Sequence, residues 1–471
     1  MISALFVVAP QRVLPALLAG ALVGASALYG EGYFGDASER RAFRALLLCF
    51  FFPVLGALFS AGWLEFFVFV EVSTVALFLM IARKRRDVAL RYLAVQFAGA
   101  SLLLAGVAGA TMAGIPLFVP APRGLLPFFI LGLGVKAALP GLHFWLPEVH
   151  GTAPAPVSAL LSGFAVKIGV FGLLAVSAHE PSYLLLPAGA FMALWGAFMS
   201  LLQQDVKRLL AYSTISQLGY IVAACGAGTS FGVAAALYHT TVHGLLKGML
   251  FFCAGILEKV YGTKNLNELG GAATALPVTF ALFLFAAATV IGLPGTPGFA
   301  SKGLIKGALE AFPLLSFCFL IANVGTAASF FKMGTFAFGG VRKRTRDNIP
   351  ERLRLMNAGM LFIFAVLAPL ALFPGMLPLF LGVRETSFYS AAKCAESIFT
   401  AACGAVVLYA YQKRPEFGER LLNRLDGRTE RFLRTAGKGS LLMRRMQSGL
   451  LRGYLFAAAL AALVLMVFFS W

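Results

Sequence analysis

Eleven ionisable side chains in this 471-residue sequence lie within long apolar runs: Glu71, Lys136, Lys167, His239, His243, Lys247, Lys302, Lys306, Lys332, Lys393 and Glu396. Each costs on the order of 2.5 to 3.5 kcal/mol at the centre of a membrane helix on the mildest scales, so several together point to an ion pathway. Glu71 sits midway along its run, beyond snorkelling reach of either end, and needs a cationic partner or a proton. Lys136 stands just before Leu139-Pro140-Gly141, a helix breaker that puts water or freed carbonyls within its reach. Moving a carboxylate toward or away from a buried lysine switches its proton affinity, which is the chemistry a proton pump requires.

His239, His243 and Lys247 follow one another at i, i+4 and i+8, which puts them on one helix face. The two histidines have the spacing of a zinc helix, but Thr240 stands where a metalloprotease needs its glutamate, so no metal is expected. A proton-relay stripe is the reading that uses all three residues, because neutral imidazole both donates and accepts a proton; the alternative is a structural pair. Lys302 follows a second breaker, Gly292-Leu293-Pro294-Gly295-Thr296-Pro297-Gly298, and Lys306 is one turn later, where it could substitute for it. Lys306 is one of four weaker candidates, with Lys332, Lys393 and Glu396. Lys332 approaches a helix end and could snorkel, and Lys393 with Glu396 could form a local i, i+3 pair. The six cysteines are scattered without a C-x-x-C, and there is no flavin, nucleotide or cluster motif, so no cofactor is expected in this chain.

The elements that must hold these groups follow from composition. With 59% hydrophobic and 13% charged residues and a mean hydropathy of +0.84, the chain has too little polar surface to coat a water-soluble domain. It reads as an all-α polytopic membrane protein, and its net charge of +19 is therefore no nucleic-acid signal. About fourteen apolar runs are long enough to cross a hydrocarbon core of roughly 30 Å. They lie near 11–29, 43–60, 62–82, 90–115, 125–147, 154–178, 183–204, 206–226, 231–257, 276–309, 314–339, 355–381, 386–411 and 451–470. The first is read as a retained helix, because no basic n-region precedes it. Pro140 breaks the fifth run, and Pro294 and Pro297 break the tenth. Such breaks are tolerable at membrane depth only against protein or a wet cavity, and the alternative for each is a mere kink.

If each broken helix counts as one crossing, nearly all the basic residues collect on one side: Arg40 to Arg44, Arg83 to Arg91, Lys207, Arg208, Lys259, Lys264, Arg342 to Arg354 and the stretch from Lys413 to Arg452. The other side has little more than Arg12, Arg123 and Arg384. Lys and Arg concentrate in cytoplasmic loops, so both termini are expected on the non-cytoplasmic side. The segment 412–450 has Leu421, Leu422, Leu425, Phe432 and Leu433 at helical spacing among arginines. It reads either as an amphipathic helix on the cytoplasmic surface or as a basic linker before the last crossing. The expected organisation is thus 1–61 N-terminal helices, 62–340 core, 341–411 C-terminal helices, 412–450 surface segment and 451–471 final helix.

Several stretches carry a specific resemblance. They are Val135-Lys136 through Gly141-Leu142-His143-Phe144-Trp145-Leu146-Pro147-Glu148 to Ala153-Pro154-Ala155-Pro156-Val157-Ser158-Ala159-Leu160, Asp205-Val206-Lys207-Arg208 to Gln217-Leu218-Gly219-Tyr220, His239 to Lys247, and Gly292-Leu293-Pro294-Gly295. Over residues 60 to 340 the chain resembles the antiporter-like proton-translocating subunits of respiratory complex I, of membrane-bound hydrogenases and formate hydrogenlyases, and of multisubunit cation/proton antiporters. The resemblance implies two inverted five-helix repeats, each with a broken helix and a half-channel. It makes Glu71 the essential glutamate and Lys136 its broken-helix partner. Lys167 and Lys247 become the central relay flanked by His239 and His243, with Lys207 also on the pathway and Lys302 as the terminal residue. Only two apolar runs precede the Glu71 helix where the family usually has four, so the N-terminal helices look shortened. Arg444-Arg445-Met446 to Gly453-Tyr454 resembles the lead-in to the last helix of members with a lateral surface helix, which here would be short.

The expected function is proton translocation in a prokaryotic plasma membrane, driven by partner subunits that hold any redox cofactors. Other membrane subunits and lipids are the expected partners, without nucleic acid, and no redox or hydrolytic centre is expected in this chain. The rivals are cation/proton exchange, with Na⁺ on carbonyls freed at the breaks, and a non-conducting scaffold.

Overall fold

The computed structural model describes residues 2–177, 181–341, 352–383, 388–416, 418 and 420–425. The expected final helix at 451–470, most of the 412–450 segment, Arg384 and Arg342 to Arg346 lie outside the described residues.

Apolar runs fold as helices in a membrane because only helices or closed barrels satisfy their own backbone groups there. The helices in order are α1 (Ile2–Tyr33), α2 (Ala37–Phe59), α3 (Trp63–Ala82), α4 (Arg86–Met112), α5 (Leu126–Lys136), α6 (Trp145–Thr152), α7 (Ala155–Leu160), α8 (Val166–Ser177) and α9 (Leu185–Leu202). They continue as α10 (Val206–Gly226), α11 (Ser230–Tyr261), α12 (Ala272–Ala275), α13 (Pro277–Ile291), α14 (Pro297–Ala308), α15 (Pro313–Met333), α16 (Leu353–Leu372), α17 (Met376–Phe380) and α18 (Ala391–Lys413). Eleven spans among the described residues are long and apolar enough to cross a membrane. The expected span 355–381 is shorter than the hydropathy suggests, since α16 stops at Leu372 just before Phe373-Pro374.

The two broken helices are real interruptions. The first splits into α5 and α6 across residues 137–144, with Ala138 and Gly141 at φ of +55° and +79°. The second splits into α13 and α14 across residues 292–296, with Gly292 and Gly295 at φ of +84° and +83°. Pro140 and Pro294 lie inside the breaks. Pro297, expected as a breaker, instead opens α14 at its first position, where its missing N–H is harmless. The two halves of the second break touch closely enough that a Cβ on Gly298 would meet the Thr289 carbonyl at 1.7 Å.

Two further distortions leave no mark in the residue pattern. A π-helical turn at Leu161–Ala165 joins α7 to α8, and another at Gly334–Phe338 follows α15. Such turns free backbone carbonyls and recur at functional sites.

Burial runs opposite to that of a soluble protein. The spans α10 and α11 are wholly enclosed although their hydropathy is only 1.3 and 1.4, and the span running from α7 through α8 is 94% buried. The outer helices α2 and α16 are more apolar, at 2.1 and 2.2, and only 33% buried. Enclosure by other helices is what lets α10 and α11 carry Ser213, Thr214, Ser216, Gln217, His239, His243 and Lys247 out of water. Close approach of α9 to α10 rests on small residues: a Cβ on Gly219 would meet the Gly189 carbonyl at 2.3 Å.

Candidate functional site

The central helices bring seven of the eleven intramembrane charges into one largely enclosed line. It begins where α3 faces α5. Glu71 Oε1 lies 2.9 Å from Lys136 Nζ, with the two side chains 15% and 5% exposed. The contact is one of charge, because the aligned donor bond of Lys136 goes to Thr74 Oγ1 at 3.0 Å. Beside the pair is a cavity of about 20 Å³ lined by Thr74, Gln96, Tyr92 and Lys136, with Leu161 and Ala165 of the π turn on its far wall. That volume suits a single water molecule among polar groups.

The next group is Lys167, the second residue of α8. Its ammonium donates to the carbonyl of Ser162, a group within the π turn, so the distorted backbone supplies the partner that a regular helix would not. The side chain of the same serine leads on toward Lys247. The Ser162 and Thr214 hydroxyls are 2.7 Å apart, Thr214 donates to the Leu210 carbonyl at 2.9 Å, and Lys247 Nζ donates to the same carbonyl at 3.0 Å. Lys167 is 3% exposed and Lys247 fully buried, and neither has a carboxylate partner among the described residues.

His239, His243 and Lys247 do share one face of α11. The two imidazoles lie parallel, their centroids 6.0 Å apart at 6°. His239 Nδ1 is 3.0 Å from Ser301 Oγ on α14, whereas His239 Nε2 and both nitrogens of His243 have no hydrogen-bond partner among the described residues. Adjacent to Ser301, Lys302 caps the end of α13. It donates to the Val290 carbonyl at 2.6 Å, to the Ile291 carbonyl at 3.4 Å and to Asn323 Oδ1 at 2.6 Å, and lies 5.3 Å from the Tyr220 ring. The second break thus serves to seat this ammonium on freed carbonyls. No group of His, Cys, Asp and Glu suited to a metal occurs among the described residues.

Residues 60–331 match the family described as "NADH:quinone oxidoreductase/Mrp antiporter, TM", a stretch that contains every group on this line. The chain belongs to this family. Among relatives of the antiporter family, it is 34% identical to an NADH-quinone oxidoreductase subunit N of Desulforudis audaxviator over 63% of this chain. It is 33% identical to an NAD(P)H-quinone oxidoreductase chain 4 of Microcystis aeruginosa over 61%, and 33% identical to a probable K(+)/H(+) antiporter subunit of Rhizobium meliloti over 59%. The chain spans 64%, 56% and 30% of the lengths of these three relatives. Among solved structures, the Mrp complex of Dietzia sp. DQ12-45-1b shares the fold, with a TM-score of 0.78 at 23% identity over 97% of this chain and 55% of that one. The protein is therefore a multi-pass, antiporter-like membrane subunit.

Four weaker candidates fall off the line of this antiporter-like core. Lys306 is 58% exposed and pairs at 2.5 Å with Glu396 of α18, so Glu396 is engaged by a neighbouring helix and Lys306 is no substitute for Lys302. Lys393 is exposed in the first turn of α18 and away from the enclosed groups. Lys332, expected to snorkel, is instead fully buried. It donates to the Leu201 and Gln203 carbonyls, both at 2.9 Å, and to the Tyr411 hydroxyl at 3.2 Å, which ties the end of α9 to α15 and α18. Placing a cation on those terminal carbonyls is a structural task. Lys332→Met is therefore expected to weaken the fold by about 2 to 4 kcal/mol, read as thermal unfolding in detergent, while transport per assembled protein stays above about half. Unchanged stability with transport lost would contradict this assignment.

Lys207 is more enclosed than its place at a helix start suggests. It is fully buried, bonded to Glu258 and to the Ala153 carbonyl at 3.1 Å, and Lys84 reaches the same carboxylate at 3.3 Å. Two residues of this region were not legible as candidates. Glu258, near the end of α11, reads as an interfacial charge until the fold brings α10 and α3 against it. His150, on α6, is wholly buried and stacked on Phe251 at 4.5 Å, with neither ring nitrogen hydrogen-bonded among the described residues. Lys247, Lys167 and Lys207 are the charged groups near enough to act on it. A polar imidazole inside Trp145-Leu146-Pro147-Glu148-Val149-His150 was the available signal.

Proposed function

We propose that this chain is the proton-translocating subunit of a multisubunit complex of the complex I or membrane-bound hydrogenase kind, in a prokaryotic plasma membrane with both termini on the non-cytoplasmic side. The observation that carries the reading is the enclosure of Lys167 and Lys247 on either side of the hydrogen-bonded Ser162 and Thr214 hydroxyls, each lysine donating to a backbone carbonyl beside that pair. Two enclosed lysines without counter-ions among the described residues can each hold or release a proton; the carbonyls only accept, so a proton passes when an ammonium turns from its carbonyl to the hydroxyl pair.

The Glu71–Lys136 pair is the switch in this reading. While it is closed, the carboxylate favours the protonated lysine. When a neighbouring protein of the complex draws Glu71 away, Lys136 yields its proton across the small cavity toward Lys167. Lys207, Glu258 and His150 form the cytoplasmic uptake side, and His239, His243 and Lys302 lead to the exit. The helices before and after the second break repeat, in inverted sense, those around the first. Redox cofactors belong to partner subunits.

The likeness to a K(+)/H(+) antiporter subunit favours a second reading, cation/proton exchange. Against a dedicated cation cage stands Lys302, whose ammonium already occupies the carbonyls of Val290 and Ile291. Purification of the tagged chain in mild detergent, with mass spectrometry of what accompanies it, separates the two. Quinone-reductase or hydrogenase subunits are expected; recovery of small membrane subunits alone would establish the exchanger instead.

A further inference from the structure

At the basic end of the bundle a cavity of about 230 Å³ opens where α1, α2, α3, α7 and α11 end or begin. Its wall carries three cations, Arg83, Lys84 and Lys259, against one carboxylate, Glu39. Lys84 is engaged by Glu258 and Lys259 lies over the Tyr33 ring at 4.6 Å, whereas Arg83 is exposed and makes no ion pair among the described residues. The remainder of the lining is apolar and includes Phe43 and Leu46 of α2. From Arg83 the outward face of α3 runs on through Leu79 and Val72, 44% and 47% exposed.

A basic pocket between helices at headgroup level, continuous with a bare apolar helix face, is complementary to an anionic amphiphile and not to a free ion alone. We infer that this cavity binds the headgroup of an anionic phospholipid, its phosphate held chiefly by Arg83 with Lys84 and Lys259 on the same wall, and its acyl chains laid along α3. A zwitterionic lipid brings its own cation into a site that already has three, and is disfavoured. Inorganic phosphate shares the anionic chemistry but has nothing to place on α3.

The test uses the full chain, reconstituted into nanodiscs with equal phosphatidylglycerol and phosphatidylcholine, re-extracted and weighed by native mass spectrometry. Retention of phosphatidylglycerol over phosphatidylcholine is expected at about fivefold or more, with about a fivefold loss for each cation removed in Arg83→Gln and Arg83→Gln/Lys259→Gln. Arg420→Gln, on an exposed arginine away from the cavity, is expected to retain lipid as the parent does. If the double variant fails to fold, Arg83→Glu carries the test, because that side chain is exposed at the end of α3 and supports no packing. Equal retention of the two lipids, or undiminished preference in a folded Arg83 variant, would overturn the inference. So would displacement of the lipid by millimolar phosphate, which would mark a free-anion site.

Discussion

Replacing Lys247 by arginine is expected to stop proton transport as fully as replacing it by methionine, by about a hundredfold in either case, in a complex that still assembles. Arginine preserves the positive charge and the donor to the Leu210 carbonyl, so a lysine needed only for charge or for packing would tolerate it. It cannot give up its proton, so a lysine needed as a relay would not. Lys247 is fully enclosed and lies 5.6 Å from the Phe330 ring, so the larger guanidinium could be rejected on size alone. Lys302→Arg removes that ambiguity, because Lys302 is only partly buried and faces Asn323 and two carbonyls that a guanidinium can also serve. Acidification of inside-out vesicles reports transport, and co-purification of partner subunits reports assembly. Near-normal transport in both arginine variants would sink the relay and leave a scaffold or a purely electrostatic role.

The elements were legible because their signals are local. A run of about 20 apolar residues is a span whatever surrounds it, Pro-Gly pairs interrupt a helix by their own chemistry, and the i, i+4, i+8 spacing of His239, His243 and Lys247 fixes their common face. What could not be read is what depends on partners far away in sequence. The π turn before Lys167 leaves no pattern in Leu161-Ser162-Gly163-Phe164-Ala165, yet it supplies that lysine's carbonyl. Lys332 and Lys393 show this dependence on neighbours. Both stand near helix ends, but Lys332 is held inward by the end of α9 and Lys393 stays outside, a difference decided by neighbours and not by position. Glu258 likewise becomes meaningful only when Lys207, 51 residues away, is folded against it.

The second large effect is expected at the other end of the line. Glu71→Gln should abolish transport, again by about a hundredfold, and destabilise the purified complex by about 3 kcal/mol, because Lys136 is then buried beside an amide, the Thr74 hydroxyl and one small cavity. The second substitution is the discriminating one. In Glu71→Gln/Lys136→Met the orphaned ammonium is gone, and much of the lost stability should return while transport stays absent. If the pair served only to hold α3 against α5, the double variant would recover both together. If Glu71 acted alone, as a carboxylate that takes up protons without Lys136, then Lys136→Met by itself would leave transport largely intact. Thermal unfolding and vesicle acidification on the same four proteins, parent included, therefore separate packing, single-residue and paired-switch roles. The switch requires both residues for transport but only their mutual match for stability.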